Sequence, residues 1–389
     1  MRVGPRWYSV TPIYLDYNAT TPVDPTVADT IVPLLREHYG NPSSSHALGK
    51  VCRDAVDKAR QQVASLVGAS PDEIFFTAGG TESNNLVIQG TFLKEGNRTA
   101  GMVTSCFEHP AVRNPALFHR ENGGEVSFVK TDSSGVIDLD ELKQVLNDRT
   151  RLVSVMHANN EIGTLQPIRE LSEICSLRGI PLHTDAAQSV GKVPVRVDDL
   201  GVDFLTIAGH KLYAPKGVGA LYIRRGQKLL PAIHGANHEN GVRPGTENVP
   251  YIAGLGAAAQ LVMEQGKEKE KQLQNLRDRL EKHLAEQIGN GISFNGCLAE
   301  RLPNTSSVNF PGVEATRLLA EIPGLCVSTG AACHSDSIRL SDTLKAIGID
   351  EQTGAGTVRI SCGRFTTDEE VDRAGNLLVK AWEACRQVK

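Results

Sequence analysis

Short apolar runs alternate with amphipathic stretches along the first two thirds of the chain. After Pro25, the apolar residues Val27, Ile31 and Leu34 recur at the spacing of one helix face. On this pattern, helices are predicted over residues 26–39, 81–93 and 167–177. The short apolar runs predict seven strands, over residues 74–77, 102–105, 125–129, 152–156, 180–184, 204–207 and 219–223. Because strands and helices alternate, we predict a mostly parallel sheet covered on both faces.

The pattern changes after Pro250. One long helical pattern runs from Tyr251 to about Leu284, and its charge-rich stretch indicates a solvated helix face. Further strands are predicted over residues 306–310, 326–328 and 358–361, and a closing helix from Thr367. We therefore predict an α/β fold with a large domain over residues 14–255. A smaller α+β domain is predicted over residues 256–389, together with residues 1–13.

Composition narrows the classes of function. The 389 residues suffice for two domains, and 41 Lys and Arg against 45 Asp and Glu leave a net charge of -4. That balance argues against a protein that coats nucleic acid, because counterion release needs a basic surface. We find no run of 18 or more apolar residues, so no membrane span is predicted.

The eight cysteines include no C-x-x-C pair, and their spacing resembles neither a zinc site nor a dense disulfide framework. The first ten residues lack the apolar core of a secretion signal. We therefore predict a cytoplasmic protein with free thiols and no metal site.

The first stretch that could carry chemistry is TAGGTESNN, residues 77–85. It follows a predicted strand and opens a helix, so Gly79 and Gly80 permit a tight turn. The backbone N–H groups and the Thr81 hydroxyl then point at whatever lies at the helix N-terminus, which suits a phosphate. The same residues also suit an ordinary capped turn.

Two further stretches place a carboxylate and an amine at strand ends. Asp185, in HTDAAQ, ends one predicted strand, where it needs a cation or a hydrogen-bond donor unless it only caps a helix. Lys211, in GHK, follows the next strand, and lysine normally avoids such a position. A desolvated lysine has a lowered pKa and can form a Schiff base with a carbonyl. Together the pair matches pyridoxal phosphate, which needs a carboxylate for its ring nitrogen and an amine for its aldehyde.

The fourth stretch is STGAACHSD, residues 328–336, in which small residues surround Cys333. We interpret it as a loop between a strand and a helix, with an exposed thiol. Such a thiol near a cationic cofactor site can become a thiolate nucleophile. Taken alone, Cys333 also fits an ordinary surface cysteine.

These and further stretches resemble the cysteine desulfurase and selenocysteine lyase family, part of the class V aminotransferases of pyridoxal phosphate fold type I. The matching stretches are YLDYNATTP (14–22), GNPSSSHALG (40–49), TAGGTESNN (77–85), EH (108–109), MHANNEIG (156–163), HTDAAQSVGK (183–192), GHK (209–211), RPGTEN (243–248), the Cys333 loop and VRISCGRFTT (358–367). The resemblance covers residues 12 to about 385. It implies a large domain with a mostly parallel seven-stranded sheet, a smaller C-terminal α+β domain, and a homodimer.

The resemblance also implies roles around the cofactor ring. Lys211 would bind pyridoxal phosphate covalently, and Asp185 would hold the pyridinium nitrogen. Gln188 and Asn160 would lie near the ring hydroxyl, and His109 would stack on the ring and transfer protons.

For the cofactor phosphate, the resemblance implies Gly80, Thr81 and His210, joined by Thr246 from the second subunit. Many desulfurases have a serine two residues before the histidine, whereas this chain has Ala208. One hydrogen-bond donor to the phosphate is therefore missing, and His210 and the Thr81 loop must supply more of the contacts to it.

For the reaction, the resemblance implies that Arg359 clamps the substrate carboxylate, with Asn160 nearby, and that Cys333 accepts sulfur as a persulfide. We therefore predict conversion of L-cysteine to L-alanine. A selenocysteine lyase is the alternative, because ACHSD, Ala208 and RPGTEN are similar to animal selenocysteine lyases. The sulfur acceptor and its pathway, iron–sulfur cluster assembly or another, stay open.

Two readings from other classes are weaker. GLGAAA, residues 254–259, matches the dinucleotide fingerprint G-x-G-x-x-A of nicotinamide dehydrogenases. However, no predicted strand precedes it and it lies in a helical pattern, so the context of the fingerprint is absent. A non-catalytic sulfur carrier with the same fold would not need Lys211, Asp185, His109 and Cys333 together.

Overall fold

The computed structural model describes residues 12–94, 96–334 and 337–387. Its strands are β1 Ile13–Tyr14, β2 Ile74–Thr77, β3 Gly101–Ser105, β4 Glu125–Val129, β5 Thr150–Ser154, β6 Leu182–Asp185, β7 Phe204–Ala208, β8 Gly219–Ile223, β9 Ser293–Asn295, β10 Thr305–Asn309, β11 Leu325–Cys326, β12 Ser328–Thr329, β13 Ala331–His334, β14 Ser337–Leu340 and β15 Thr357–Ser361. Its helices are α1 Pro25–Arg36, α2 Ala47–Val67, α3 Gly80–Phe92, α4 Pro110–Glu121, α5 Leu139–Val145, α6 Ile168–Ser176, α7 Val197–Leu200, α8 Val249–Ile288, α9 Ala315–Ala320, α10 Asp342–Ala346, α11 Glu351–Ala355 and α12 Asp368–Gln387.

The seven predicted strands are confirmed as one seven-stranded sheet with the order β2-β8-β7-β6-β5-β3-β4. Among its described strands, β8 alone runs antiparallel to both neighbours. The strands β6 and β7 pair in parallel with Asp185 opposite Thr206, so their carboxyl ends meet at one edge. Ligands bind outside this edge in open α/β sheets.

Helices cover both faces of this sheet. One core joins α1, α2 and the start of α8 to the sheet, and a second joins α3 and α4 to its other face. Strands buried on both faces read as continuous apolar runs, and β3 and β7 are buried at every position. This burial is why the sequence shows short apolar runs rather than alternation.

Local signals set the helix starts that matter for the site. Asp24 caps α1 by accepting the Thr26 N–H at 2.9 Å, and Pro25 occupies the first helical position. The helix α3 begins after Gly79, whose φ of 148° suits glycine. Its first turn therefore presents unpaired N–H groups at the carboxyl edge of the sheet.

A second, four-stranded sheet has the order β12-β15-β10-β9. It packs with α9, α12 and the second half of α8 around a separate apolar core. Ile13 belongs to this core, because β1 pairs with β11. The separate cores fit two domains, but a boundary at residue 255 stays a prediction.

The glycine-rich match at residues 254–259 lies inside α8. A Cβ placed on Gly256 would lie 2.6 Å from Ala59 Cα, and one on Gly254 would lie 2.7 Å from Ile31 Cδ1. These glycines therefore allow α8 to pack closely against α1 and α2, and they form no strand-to-helix turn for a dinucleotide.

Two local predictions were wrong. The predicted strand over residues 326–328 is two short strands, β11 and β12, that join different sheets. The stretch around Cys333 is not a loop, because β13 and β14 form an antiparallel hairpin with Cys333 opposite Ile338. Small residues carry little strand propensity, so the local sequence gave little sign of this pairing.

Every helix in the described part of the chain is too short or too polar to span a membrane.

The second core predicts a contrast between two substitutions in α8. Leu280 is 1% exposed there, so Leu280→Ala should lower the free energy of unfolding by about 2–5 kcal/mol. Lys282→Ala, at an exposed position of the same helix, should change it by less than about 0.5 kcal/mol. Urea titration of both variants checks this, and equal effects would contradict the assigned packing.

Candidate functional site

A cavity of about 410 Å³ opens at the carboxyl edge of the seven-stranded sheet. Nine of the residues singled out in the sequence line it: Gly80, Thr81, His109, Asn160, Asp185, Gln188, His210, Lys211 and Arg359. They come from five strand ends or helix starts and from the second sheet. Residues distant in sequence therefore meet in one place, as the strand-end argument predicted.

The N-terminus of α3 forms one end of this cavity. Gly80 and Thr81 line it, and no described atom lies within 4 Å of the position that a Cβ on Gly79 would take. His210 closes the same end, and its Nδ1 lies 3.2 Å from Thr20 Oγ1. Burial, with the nearby Lys211, lowers the pKa of His210 to about 4, so the ring is neutral at pH 7. In the tautomer whose Nδ1 accepts from Thr20 Oγ1, the Nε2–H is available as a donor.

The carboxylate of Asp185 lies at the end of β6 and is 7% exposed. Asn84 Nδ2 donates to its Oδ2 at 2.7 Å, and the Ala187 N–H donates to its Oδ1 at 3.0 Å. These two donors hold the carboxylate in one orientation. The role of Asn84 was missed in the sequence, although it lies in the TAGGTESNN stretch.

The Lys211 amine donates to the main-chain carbonyls of Asn18 and Ala19, the latter at 2.7 Å. Burial lowers the pKa of Lys211 to about 8, and Arg359 lowers it further against the opposing effect of Asp185. A substantial fraction of the amine is therefore neutral near pH 8, as nucleophilic or basic chemistry requires.

His109 begins α4 as its N-cap residue. Its Nδ1 accepts the Ala111 N–H at 3.1 Å, so a neutral ring carries its proton on Nε2. Burial lowers the pKa of His109, the neighbouring Asp185 raises it, and Lys211 lowers it. The cap contact therefore fixes both the ring orientation and the tautomer.

Gln188 is held by two neighbours. Its Nε2 donates to the Asn18 carbonyl at 3.0 Å, and its Oε1 accepts from Lys192 Nζ at 2.8 Å. Lys192 is buried, and burial together with Lys211 and Arg359 lowers its pKa well below the usual value. Lys192 was missed in the sequence, although it ends the stretch HTDAAQSVGK.

Arg359 reaches the cavity from β15 of the second sheet. Its Nη2 donates to Asp16 Oδ1 at 2.7 Å and to Ser328 Oγ at 2.8 Å, and its Nη1 donates to the Asn160 carbonyl at 3.2 Å. Its Nε is buried and has no hydrogen-bond partner in the described ranges. These contacts hold the guanidinium in one orientation, and a planar cation in the wall of a cavity suits an anionic group.

The geometry leaves two predicted site residues untested. Thr246 is exposed and lies in the segment before α8. Cys333 lies in β13, and its side chain is outside the described part of the structure. Neither role is tested by the geometry.

Glu108, next to His109, is a buried carboxyl group. It belongs to the matching EH pair, but the sequence assigned it no role. Its Oε1 accepts from Ser105 Oγ at 2.6 Å and from the Met156 N–H at 2.9 Å. Its Oε2 is buried without a partner among the residues with known positions. Burial raises the pKa of Glu108 to about 8, and Asp185 adds to this, so the group is mainly a neutral acid at pH 7.

These groups fit pyridoxal phosphate. An amine with a pKa near 8 suits the aldehyde, and the fixed carboxylate of Asp185 suits the pyridine nitrogen. The open space beside Gly79 at the start of α3 suits the phosphate.

No group of three His, Cys, Asp or Glu residues that could hold a metal ion occurs among the described residues.

Comparison with known proteins gives one consistent family. The family model of class V aminotransferases matches residues 13–374. The chain is 44% identical to the cysteine desulfurase IscS of Dictyoglomus turgidum, over 97% of this chain and 96% of that protein. It is 43% identical to the cysteine desulfurase of Mus musculus, over 93% of this chain and 79% of that protein. A solved NifS-like protein superposes with a TM-score of 0.88 at 36% identity, covering 97% of this chain and all of the other.

The buried acid at residue 108 predicts a dependence of stability on pH. Folding raises the pKa of Glu108 from 4.5 to about 8, so the folded state keeps a proton that the unfolded state releases. Stability from this group is therefore full below pH 4.5 and is lost as the pH rises towards 8. Glu108→Gln should reduce the loss of unfolding free energy between pH 5 and pH 8.

Urea unfolding at both pH values measures this difference, with exposed Glu121→Gln as the control. The same decline in wild type and Glu108→Gln would contradict a proton held by Glu108.

Proposed function

The chain belongs to the class V aminotransferases and, within them, to the cysteine desulfurases, and from this membership and its site we propose how it takes sulfur from L-cysteine. It is a pyridoxal phosphate dependent cysteine desulfurase, and L-alanine is the other product. The observation that carries the proposal is the buried Lys211 amine, which shares one cavity with the fixed Asp185 carboxylate and the Arg359 guanidinium.

When bound, pyridoxal phosphate supplies an aldehyde that joins to amines and a ring that takes up electrons from the substrate Cα. Asp185, whose carboxylate Asn84 keeps in one orientation, would hold a proton on the ring nitrogen. Lys211, with a pKa of about 8, would hold the cofactor through its amine, and its free amine would take the Cα proton. His109 supports proton transfer from its Nε2, because its Nδ1 is occupied by the α4 cap.

Arg359 binds the substrate carboxylate. The Asp16 and Ser328 contacts fix the guanidinium plane, and Arg359 lines the same cavity as Lys211. A fixed planar fork can bind a carboxylate through two parallel hydrogen bonds. This contact sets which end of the amino acid faces Lys211.

Cys333 accepts the sulfur. Its thiolate attacks the sulfur of the bound substrate, so the substrate C–S bond breaks and an S–S bond forms. The electron balance needs no outside oxidant, because L-cysteine and the enzyme thiol together give L-alanine and an enzyme persulfide. Support comes from the small-residue stretch around Cys333 and from the family of the chain.

Three further properties concern the assembly, the sulfur acceptor and the location of the protein. A homodimer would let Thr246, exposed in its own chain, complete the phosphate site of the second subunit. A sulfur-acceptor protein and iron–sulfur cluster assembly are proposed from the name IscS, which three relatives carry. A cytoplasmic location is supported by the cysteines with described side chains, which are all free thiols.

Arg359→Lys should raise the KM for L-cysteine by about 10- to 100-fold, because an ammonium cannot replace the bidentate fork. The kcat should fall much less, since Lys211 and Asp185 are unchanged. Steady-state alanine release measures both constants, and Arg279→Lys, an exposed arginine of α8, is the control. An unchanged KM would remove Arg359 from the substrate site.

Cys333→Ala should abolish sulfur release from L-cysteine, because no thiolate remains to form the S–S bond. Activity on L-selenocysteine should persist, since the more labile C–Se bond can break without that attack. Alanine formation from each substrate measures this, with exposed Cys297→Ala as the matched control. Full retention of both activities in Cys333→Ala would end the persulfide role.

A further inference from the structure

Asn18 lies between the two sheets and is 1% exposed. Its side chain makes four hydrogen bonds. Nδ2 donates to Thr305 Oγ1 at 2.8 Å and to the Asn160 carbonyl at 3.2 Å, and Oδ1 accepts from Lys192 Nζ at 2.8 Å and Asn304 Nδ2 at 3.1 Å. Both N–H groups of Nδ2 donate and Oδ1 accepts two hydrogen bonds, so the contacts favour a single orientation of the side chain.

The main chain of Asn18 makes further hydrogen bonds, to other partners. Its N–H donates to Ser361 Oγ at 3.0 Å, and its carbonyl accepts from Gln188 Nε2 at 3.0 Å and from Lys211 Nζ. The Ala19 carbonyl accepts from Lys211 Nζ as well. Two adjacent carbonyls therefore receive the free Lys211 amine, and the Asn18 side chain fixes where they lie.

Burial is the largest cause of the lowered pKa of Lys211, and charged groups on several elements add opposing effects. Asp185 on β6 and Asp16 raise the pKa of Lys211, whereas Arg359 on β15 lowers it. The other titratable neighbours that interact with Lys211 are Lys192, His109 and His210. Among the described residues, the hydrogen-bond acceptors given for the amine are the carbonyls of Asn18 and Ala19.

We propose that Asn18 is a positioning residue, which fixes a docking point for the Lys211 amine at the carbonyls of Asn18 and Ala19. The proposal rests on the proposed function, because it concerns the lysine that carries the cofactor. Carbonyl oxygens accept from an ammonium more strongly than from a neutral amine. When the displaced lysine takes the Cα proton, this docking point stabilises the ammonium beside the substrate.

The test uses Asn18→Ala and measures two properties. In the enzyme freed of cofactor, the rate of Schiff base formation with pyridoxal, which lacks the phosphate, should rise with pH as Lys211 loses its proton. Loss of the carbonyl docking point destabilises the ammonium, so the midpoint of this rise should move below that of wild type, by roughly half a pH unit. In the loaded enzyme, kcat for L-cysteine should fall by about 5- to 10-fold, with KM within about twofold.

Asn309→Ala is the matched control. Asn309 is also a buried asparagine with several partners, Asn295, Ser293 and Thr357, but it does not line the cavity. It should lower stability without moving the pyridoxal midpoint. Asn18→Ser is a gentler second variant if Asn18→Ala does not fold.

An unmoved or raised midpoint in a folded Asn18 variant would overturn the docking role, even if kcat falls. The same midpoint shift in Asn309→Ala would overturn it too, because the shift would then report general loosening. If wild type failed to use L-cysteine, the proposed function would fall, whereas the pyridoxal midpoint would still decide the role of Asn18.

Discussion

The desolvation of the Lys211 amine is the constraint on which the rest of the site depends. A buried ammonium is costly unless acceptors surround it, and a fully neutral amine would not return a proton efficiently. The structure balances the two forms: main-chain carbonyls and Asp185 favour the charged form, and burial and Arg359 favour the neutral one. The resulting pKa of about 8 allows the same side chain to act as nucleophile and as base.

This balance requires three distant parts of the chain to meet. The parallel pairing of β6 and β7 brings Asp185 and the lysine segment to one edge, and the start of α3 lies beside them. The second sheet supplies Arg359. Between the sheets, residues 16–19 contact both, because Asp16 pairs with Arg359 and the Asn18 carbonyl accepts from Lys211. A shift between the sheets would therefore act on the lysine and the arginine together.

Much of the fold followed from the sequence, because buried parallel strands leave continuous apolar runs that need no knowledge of partners. The chemistry of the site followed as well where one residue was anomalous for its position, as a lysine or an aspartate at the end of a buried strand is. Asn18, Asn84 and Lys192 could not be predicted in this way. Their importance lies in hydrogen bonds that span more than 100 residues, such as Asn84 with Asp185 and Lys192 with Asn18.

The hairpin at Cys333 was missed for a local reason. The small residues of its first strand give little signal for the strand pairing that the structure shows. The glycine-rich stretch in α8 shows a third limit. A dinucleotide fingerprint and a close helix contact can use the same glycines for different reasons, and the packing of Gly256 against Ala59 shows the reason that applies in α8.

The most direct test of the central claim is to load the protein with pyridoxal phosphate, reduce it with borohydride and map the modified peptide by mass spectrometry. The account predicts that the reduced cofactor is attached to Lys211. Attachment to the neighbouring buried Lys192, or no attachment to either lysine, would contradict it.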